Sequence, residues 1–305
     1  MKDVLINRLR SWGNKSIGLI LFVVCLVAIY NKVAHNENLN QYSADIKIQF
    51  EKVTFLEWAV LLLLFLGNYL MEAIKWQNLL ASWNPISIFK SYKSVLIGQA
   101  FAFFTPARSG DYVGRILLLP PGSKIKGAAQ LAWSSYAQLI ITISIGSIAL
   151  FFNLPFFPWI KWFMPLGLIA ALFVYFHPGQ FKGWLNKINQ LQIENKLKLN
   201  LLGLSFLKYM IFVLQYTWAV KMLNIPIAPI DLWIALGVLF LLLSIIPSIS
   251  LTDLVIRGQI IVVLLEPYYN NSLMLICLST IIWAVNFLLP AIIGAFLLIN
   301  FRIKQ

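Results

Sequence analysis

Charged side chains are scarce in this sequence of 305 residues, and their scarcity excludes an ordinary water-soluble protein. Asp, Glu, Lys and Arg together make up 11% of the chain, whereas hydrophobic residues make up 60%. The mean hydropathy is +0.80, well above that of soluble globular domains. The apolar runs continue over about 20 residues, the length of a membrane-spanning helix, and lack the alternation of outer-membrane strands. We therefore predict an all-α, polytopic membrane helical bundle.

Cysteine and histidine are also rare, with two of each. Cys25 and Cys277 lie in apolar runs, and the sequence has no CxxC pair or Cys/His cluster, which argues against a disulfide framework and a metal site. It also lacks a nucleophile elbow, a phosphate-binding glycine loop, a zinc motif and an acidic metal pair. We expect no metal, no cofactor and no catalytic residue. The redox compartment stays open.

Acidic residues are fewer than basic ones, at 11 against 24, which gives a net charge of +13. Such a balance can indicate nucleic-acid binding. The lysines here, however, are scattered over short loops and fall mainly on one predicted side of the membrane, a pattern typical of topology signals. We therefore expect no nucleic-acid partner.

Continuous apolar segments predict six full membrane spans. Two further regions, residues 91–120 and 231–266, each consist of an apolar arm, a polar interruption and a short second arm. Each region can form a re-entrant hairpin or a pair of broken helices, which is tolerated at membrane depth only inside protein or beside a water-filled cavity. We predict a single membrane domain over residues 1–305 and no soluble domain. The six spans are predicted at residues 16–34, 55–76, 128–151, 159–177, 201–221 and 272–301.

Basic residues are divided unequally between the two predicted sides. If the N-terminus is inside and both hairpins return to their own side, fifteen Lys and Arg lie inside and five outside. The positive-inside rule then predicts a cytoplasmic (inner) membrane protein with both termini in the cytoplasm. The first hairpin would enter from the cytoplasmic side and the second from the outside, so that they meet near mid-membrane. Two full crossings in place of either hairpin leave this count unchanged.

The N-terminal segment raises the question of a signal peptide. A basic start is followed by an apolar stretch at residues 17–34. This stretch is longer than a signal core of about 7–15 residues, and no convincing small-x-small cleavage site follows it. We expect an uncleaved first span.

The two interruptions share a pattern of residues. TPARSGDYVGR and IPSISLTDLVIR each contain a proline, then small or hydroxylic residues, then an aspartate with an arginine four positions later. On a helix this spacing pairs Asp111 with Arg115, and Asp253 with Arg257, on one face in the favourable order. Residue types that break or start helices precede each aspartate. They are Pro106, Ser109 and Gly110 in the first interruption and Pro247, Ser250 and Thr252 in the second.

A helix that begins at membrane depth presents unpaired N–H groups and a positive dipole end, which favour an anion. Arginine adds bidentate phosphate binding and stays charged when partly desolvated. We predict a lipid-phosphate site formed by Arg108, Arg115 and Arg257, with Asp111 and Asp253 orienting the arginines or taking up protons. The alternative is that each Asp–Arg pair only neutralises its own charges. Arg108 has no acidic residue at i+4. The two Asp–Arg pairs therefore leave Arg108 available for a ligand.

Other polar residues in the spans are secondary candidates. Glu72 and Lys75 form a second candidate pair near the cytoplasmic end of their span, where Lys75 can instead extend to the headgroups. Lys208 and Gln215 share a helix face at i, i+7. The alternative for Lys208 is that it extends to the headgroups and binds no ligand. Four further amides are typical of hydrogen bonds between helices: Asn68, Gln99, Gln138 and Asn286.

Taken together, these residues resemble the lysylphosphatidylglycerol synthase transmembrane-region family, the flippase-like integral membrane proteins. TPARSGDYVGR is similar to the first family motif, IPSISLTDLVIRG to the second, and KWQNLL at residues 75–80 to a basic-Trp-x-x-Leu-Leu span end. The resemblance covers nearly the whole chain. The family commonly has several glycines and a glutamate after the second-motif arginine, whereas here Gly258 follows Arg257 and the acid Asp253 precedes it. No role of that glutamate is carried over. Lys75 stands where arginine is common in the family.

The resemblance implies lipid translocation, and we predict a flippase-like protein that moves an anionic phospholipid or polyprenyl-phosphate-linked lipid between leaflets. Family members that synthesise aminoacylated lipids carry a large soluble domain after the membrane part, and this sequence ends at Gln305 without one. We therefore expect no enzyme activity and, as a partner, a separate lipid-modifying or glycosyl-transferring enzyme. Two alternatives stay open: a membrane-embedded headgroup transferase with Asp111 or Asp253 as base, and a structural scaffold.

Overall fold

The computed structural model describes residue 27 and residues 39–153, 158–177, 193–246 and 248–299. Within these ranges every regular element is a helix, which confirms the all-α prediction for the described residues. Three predicted features lie outside them: Pro247, the span at residues 16–34 apart from residue 27, and the last residues, 300–301, of the final span.

The described residues form eleven α-helices, one 3₁₀ turn and one π-helical turn. Local sequence explains how the helix that starts at Phe55 begins, because Thr54 and Glu57 form a capping box. The Thr54 N–H donates to Glu57 Oε2 at 2.8 Å, and the Glu57 N–H donates to Thr54 Oγ1 at 3.4 Å. In chain order the elements are α1 (Leu39–Lys52), α2 (Phe55–Leu80), α3 (Ile88–Phe103), the 3₁₀ turn (Pro106–Arg108), α4 (Gly110–Ile116), α5 (Lys124–Asn153), α6 (Pro158–Phe176), α7 (Asn195–Met222), α8 (Pro229–Ile245), α9 (Ser250–Leu265), α10 (Ser272–Trp283), the π-helical turn (Ala284–Leu288) and α11 (Leu289–Ile299).

Four helical stretches are long and apolar enough to cross a membrane, as expected of a membrane protein with several transmembrane helices. Each contains or overlaps one of the predicted spans, and α6 overlaps the span predicted at residues 159–177. The four stretches are Phe55–Leu80, Lys124–Phe152, Asn195–Met222 and Ser272–Ile299.

The helices bury two apolar clusters. One is built largely from α7, α8, α9 and α10 and includes Leu236 and Leu275, both fully buried. The other is built largely from α2, α3, α5 and α7 and includes Trp76 and Leu131. Between transmembrane helices such close packing, rather than exclusion of water, supplies the attraction. Helix α7 contributes to both clusters and packs along α2, so it connects the two parts of the bundle.

The helix is interrupted at both of the predicted places. After α3 the backbone turns through Ala107 and Arg108, which are both left-handed, with φ of 50° and 57°. The second interruption separates α8 from α9. The Ala107 N–H donates to the Ser248 carbonyl at 2.9 Å, so the two interruptions touch through their backbones. This bond satisfies polar groups that a broken helix would otherwise leave unpaired.

Helix α4 folds back along α3 so closely that the contact requires glycine. A Cβ added at Gly114 would lie 2.6 Å from Gly98 Cα, and one added at Gly98 would lie 2.3 Å from Asp111 Oδ1. Carbon atoms normally pack at about 3.5–4.0 Å. The two glycines therefore set the spacing of this hairpin and the position of Asp111 within it.

Replacing Gly114 with alanine is expected to lower the free energy of unfolding by about 1–3 kcal/mol, because α3 and α4 must move apart. The same change in an uncrowded helix position stabilises a protein by up to about 1 kcal/mol. Gly203 in α7 is the matched control, since an added Cβ meets no heavy atom within 4 Å there. Thermal unfolding midpoints of the detergent-purified variants measure both effects. A Gly114→Ala variant as stable as Gly203→Ala would contradict the close approach.

Candidate functional site

The first predicted Asp–Arg pair forms an ion pair with two contacts. Arg115 Nη2 lies 2.7 Å from Asp111 Oδ2, and Arg115 Nε donates to Asp111 Oδ1 at 2.9 Å. The arginine side chain is only 2% exposed. Such a bidentate contact fixes the guanidinium in orientation as well as in position.

Glu72, on α2, joins this pair to two lysines. Its carboxylate lies 3.0 Å from Arg115 Nη1, 2.9 Å from Lys75 Nζ and 2.6 Å from Lys208 Nζ. Three cations from α2, α4 and α7 therefore share one carboxylate. The sequence suggested Glu72 as a candidate, but not that it would contact the arginine motif.

Of the two possibilities for Lys75, the structure shows the ion pair with Glu72. The Lys75 side chain does not extend to the headgroups, because it is 1% exposed and also contacts Ser205 and Gln138. Lys208 forms an ion pair with Glu72 and no hydrogen bond with Gln215. Gln215 is fully buried, and neither atom of its amide has a hydrogen-bond partner among the described residues.

Gln99, on α3, extends the contacts to Arg108. Its amide nitrogen donates to Asp111 Oδ1 at 3.2 Å, and its amide oxygen accepts a hydrogen bond from Arg108 Nη2. These contacts join six charged side chains into one charged network linked through Gln99. The network consists of Glu72, Lys75, Arg108, Asp111, Arg115 and Lys208.

Arg108 differs from the other arginines of the site in lacking a carboxylate partner. No described Asp or Glu oxygen lies within 4.0 Å of its guanidinium nitrogens. Its guanidinium carbon lies 4.2 Å from the centre of the Phe287 ring, a cation–π contact. The side chain is only partly buried. Arg108 can therefore accept an anionic partner through the part of its side chain that stays exposed.

The arginine of the second Asp–Arg pair also contacts Phe287. Arg257 donates to Asp253 Oδ2 through Nη2 at 3.0 Å and through Nε at 3.2 Å, and to the Tyr216 hydroxyl at 3.4 Å. Its guanidinium carbon is 5.1 Å from the centre of the Phe287 ring. One aromatic ring thus contacts arginines from both interruptions.

Phe287 belongs to the π-helical turn, which the sequence analysis did not predict. Pro290 follows Asn286 by four positions and has no N–H to donate to the Asn286 carbonyl. The Tyr69 hydroxyl donates to that carbonyl instead, at 2.7 Å. A missing helix bond of this kind is a common cause of a π-helical turn. Pro290 is therefore the residue from which the π-helical turn could have been predicted.

Several of the residues predicted to break or start helices lie at helix starts. Helices α4 and α9 begin at Gly110 and Ser250, shortly before each aspartate, and Pro106 begins the 3₁₀ turn. Ser109 occupies the N-cap position of α4 without a side-chain capping bond, and Ile249 occupies the position before α9. The Gly110 N–H instead donates to Thr105 Oγ1 at 2.7 Å. Thr252 lies inside the first turn of α9.

The amides predicted to connect helices mostly do so. Gln99 and Gln138 bond to side chains of other elements, and the Asn68 amide donates to the Lys208 carbonyl at 3.2 Å. Asn286 is the exception, since its amide donates to Ile282 in the preceding turn of the same helical stretch. Among the described residues no group of three or more His, Cys, Asp or Glu could hold a metal ion.

Comparison with known proteins does not assign this chain to a family. No protein-family model matches it, and no curated protein matches it either. Inferences about its function therefore rest on the two interruptions and the charged network.

Proposed function

We propose that this chain is a flippase-like protein of the cytoplasmic membrane, which binds the phosphate headgroup of an anionic lipid at Arg108 and moves the lipid between leaflets. Arg108 carries the proposal: it is a partly exposed cation without a carboxylate partner among the described residues, and it lies where two helix interruptions touch. A guanidinium that is already ordered by Gln99 and Phe287 loses less entropy when it binds a phosphate.

The other predicted residues take supporting roles in this proposal. Arg257 is 3% exposed and supports the site through the Phe287 ring, which it shares with Arg108. Arg115 contacts two carboxylates and is 2% exposed, so it positions Asp111 and Gln99 without contacting the lipid. Asp111 and Asp253 orient their arginines. The family resemblance of the two motifs supports the same function.

The proposed topology has six spans and two re-entrant hairpins that enter from opposite sides, with both termini in the cytoplasm. The length of α4 supports re-entry of the first hairpin. Its 7 residues rise about 10 Å at 1.5 Å per residue, against about 30 Å for the hydrocarbon core. Broken helices that meet inside the membrane are a common way to build transporter binding sites.

Replacing Arg108 with glutamine is expected to slow lipid exchange between leaflets by at least about tenfold, because a charge-assisted contact to the phosphate contributes about 1.5–3 kcal/mol. The test uses proteoliposomes with a membrane-impermeant quencher and either fluorescent phosphatidic acid or fluorescent phosphatidylglycerol. Lys47→Gln removes a charge from an exposed position on α1 and serves as the control. Exchange that is equally fast in Arg108→Gln would contradict the proposal.

The same vesicles distinguish the alternative functions. A change in lipid mass after incubation with the wild-type protein would favour a headgroup transferase. Exchange no faster than in protein-free vesicles, with unchanged lipid mass, would favour a structural scaffold.

A further inference from the structure

The charged network has more positive than negative groups. It contains four cationic side chains, Lys75, Arg108, Arg115 and Lys208, and two carboxylates, Glu72 and Asp111, so four minus two leaves an excess of two positive charges. The neighbouring Asp253–Arg257 pair is neutral and does not change this balance. Uncompensated charge inside an apolar helix bundle is unfavourable and is typical of a binding site.

The excess charge can be located within the network. Arg115 is compensated, because it contacts both Asp111 and Glu72. Glu72 then has to compensate Lys75 and Lys208 as well, and Arg108 has no carboxylate partner among the described residues. The uncompensated positive charges are therefore Arg108 and one of the two lysines that share Glu72.

Exposure distinguishes between those two lysines. Lys75 is 1% exposed, whereas Lys208 is 27% exposed. A ligand can therefore contact Lys208 but not Lys75. Arg108 is also partly exposed. The two cations that a ligand can reach are the two that the network leaves without full compensation.

From this balance we infer that the site selects a dianionic phosphate, either a phosphomonoester or a pyrophosphate, over the monoanionic phosphodiester of an ordinary phospholipid. The inference rests on the proposed function and names its substrate class. A phosphomonoester carries about −1.5 to −2 charge at neutral pH, which matches the excess of two. It offers terminal oxygens to a guanidinium fork and to an ammonium group at once. A phosphodiester compensates only one of the two charges.

The test compares the binding of two lipids with identical acyl chains to the purified full chain in nanodiscs. Phosphatidic acid is the phosphomonoester probe and phosphatidylglycerol the phosphodiester probe. We expect phosphatidic acid to bind at least about tenfold more tightly, and this preference to be lost in Lys208→Gln and to return in Lys208→Arg. Lys221→Gln removes a lysine from the same helix outside the network and should keep the preference.

Competition with inorganic phosphate shows whether the site binds free phosphate or only a lipid headgroup. If it displaces phosphatidic acid at a similar concentration, the site binds free phosphate; if only the lipid binds, the site selects a lipid headgroup. Both outcomes support dianion selection. Equal affinity for the two lipids, with leaflet exchange intact, would overturn the inference and leave the proposed function standing. A preference unchanged in Lys208→Gln would also overturn it. Absence of binding together with absence of exchange would instead reject the proposed function.

Discussion

Replacing Glu72 with glutamine is expected to lower the free energy of unfolding by about 3–5 kcal/mol, the usual effect of removing one partner of a buried ion pair. The carboxylate contacts Arg115, Lys75 and Lys208 at 2.6–3.0 Å. Glutamine keeps the size and an acceptor oxygen but removes the charge, so three cations lose a shared counter-ion. Denaturant or thermal unfolding of the detergent-purified protein measures the loss.

Two further variants decide whether this loss is electrostatic. Glu51 is exposed on α1, so Glu51→Gln should change the free energy of unfolding by no more than about 0.5 kcal/mol. Adding Lys75→Met to Glu72→Gln removes a buried cation that has lost its counter-ion, and the double variant should be more stable than Glu72→Gln alone. Losses that simply add in the double variant would show that Lys75 and Glu72 do not interact.

The parts of the site that were predictable from the sequence are those set by local geometry. Asp111 with Arg115, and Asp253 with Arg257, are four positions apart, and a single helical turn brings such residues into contact. The interruptions were predictable for the same reason, because proline, glycine and hydroxylic residues act on the backbone within a few positions.

The contacts that were not predicted connect residues far apart in the chain. Glu72 and Lys208 are separated by 136 positions, and Glu72 and Arg115 by 43. Each contact joins two different helices, so no spacing within a single helix predicts it. Extension to the headgroups was the alternative considered for Lys75, a lysine near a span end. It does not occur because α7 and α5 pack over that end of α2 and contact the ammonium group through Ser205 and Gln138.

Replacing Arg257 alone with methionine is expected to destabilise the protein by about 3–5 kcal/mol, whereas replacing Asp253 with leucine and Arg257 with methionine together should leave stability within about 1 kcal/mol of the wild type or raise it. The single variant leaves the Asp253 carboxylate buried without its cation. The double variant removes both charges and leaves apolar side chains of similar volume, although the Tyr216 hydroxyl loses a donor at 3.4 Å. Thermal unfolding of the four members of the cycle gives the coupling free energy.

The stable double variant then separates a structural role of this pair from a role in lipid binding. If the pair only neutralises itself, leaflet exchange should proceed at the wild-type rate once both charges are gone. If Arg257 supports Arg108 through the Phe287 ring, exchange should fall about two- to fivefold in a protein of unchanged stability, because the ring that orders the Arg108 guanidinium loses its second cation and such a contact contributes about 0.5–1 kcal/mol. We expect the second result, since one ring contacts both guanidinium groups, with carbons at 4.2 and 5.1 Å from its centre. Wild-type exchange in the double variant would restrict the site to Arg108 and the charged network.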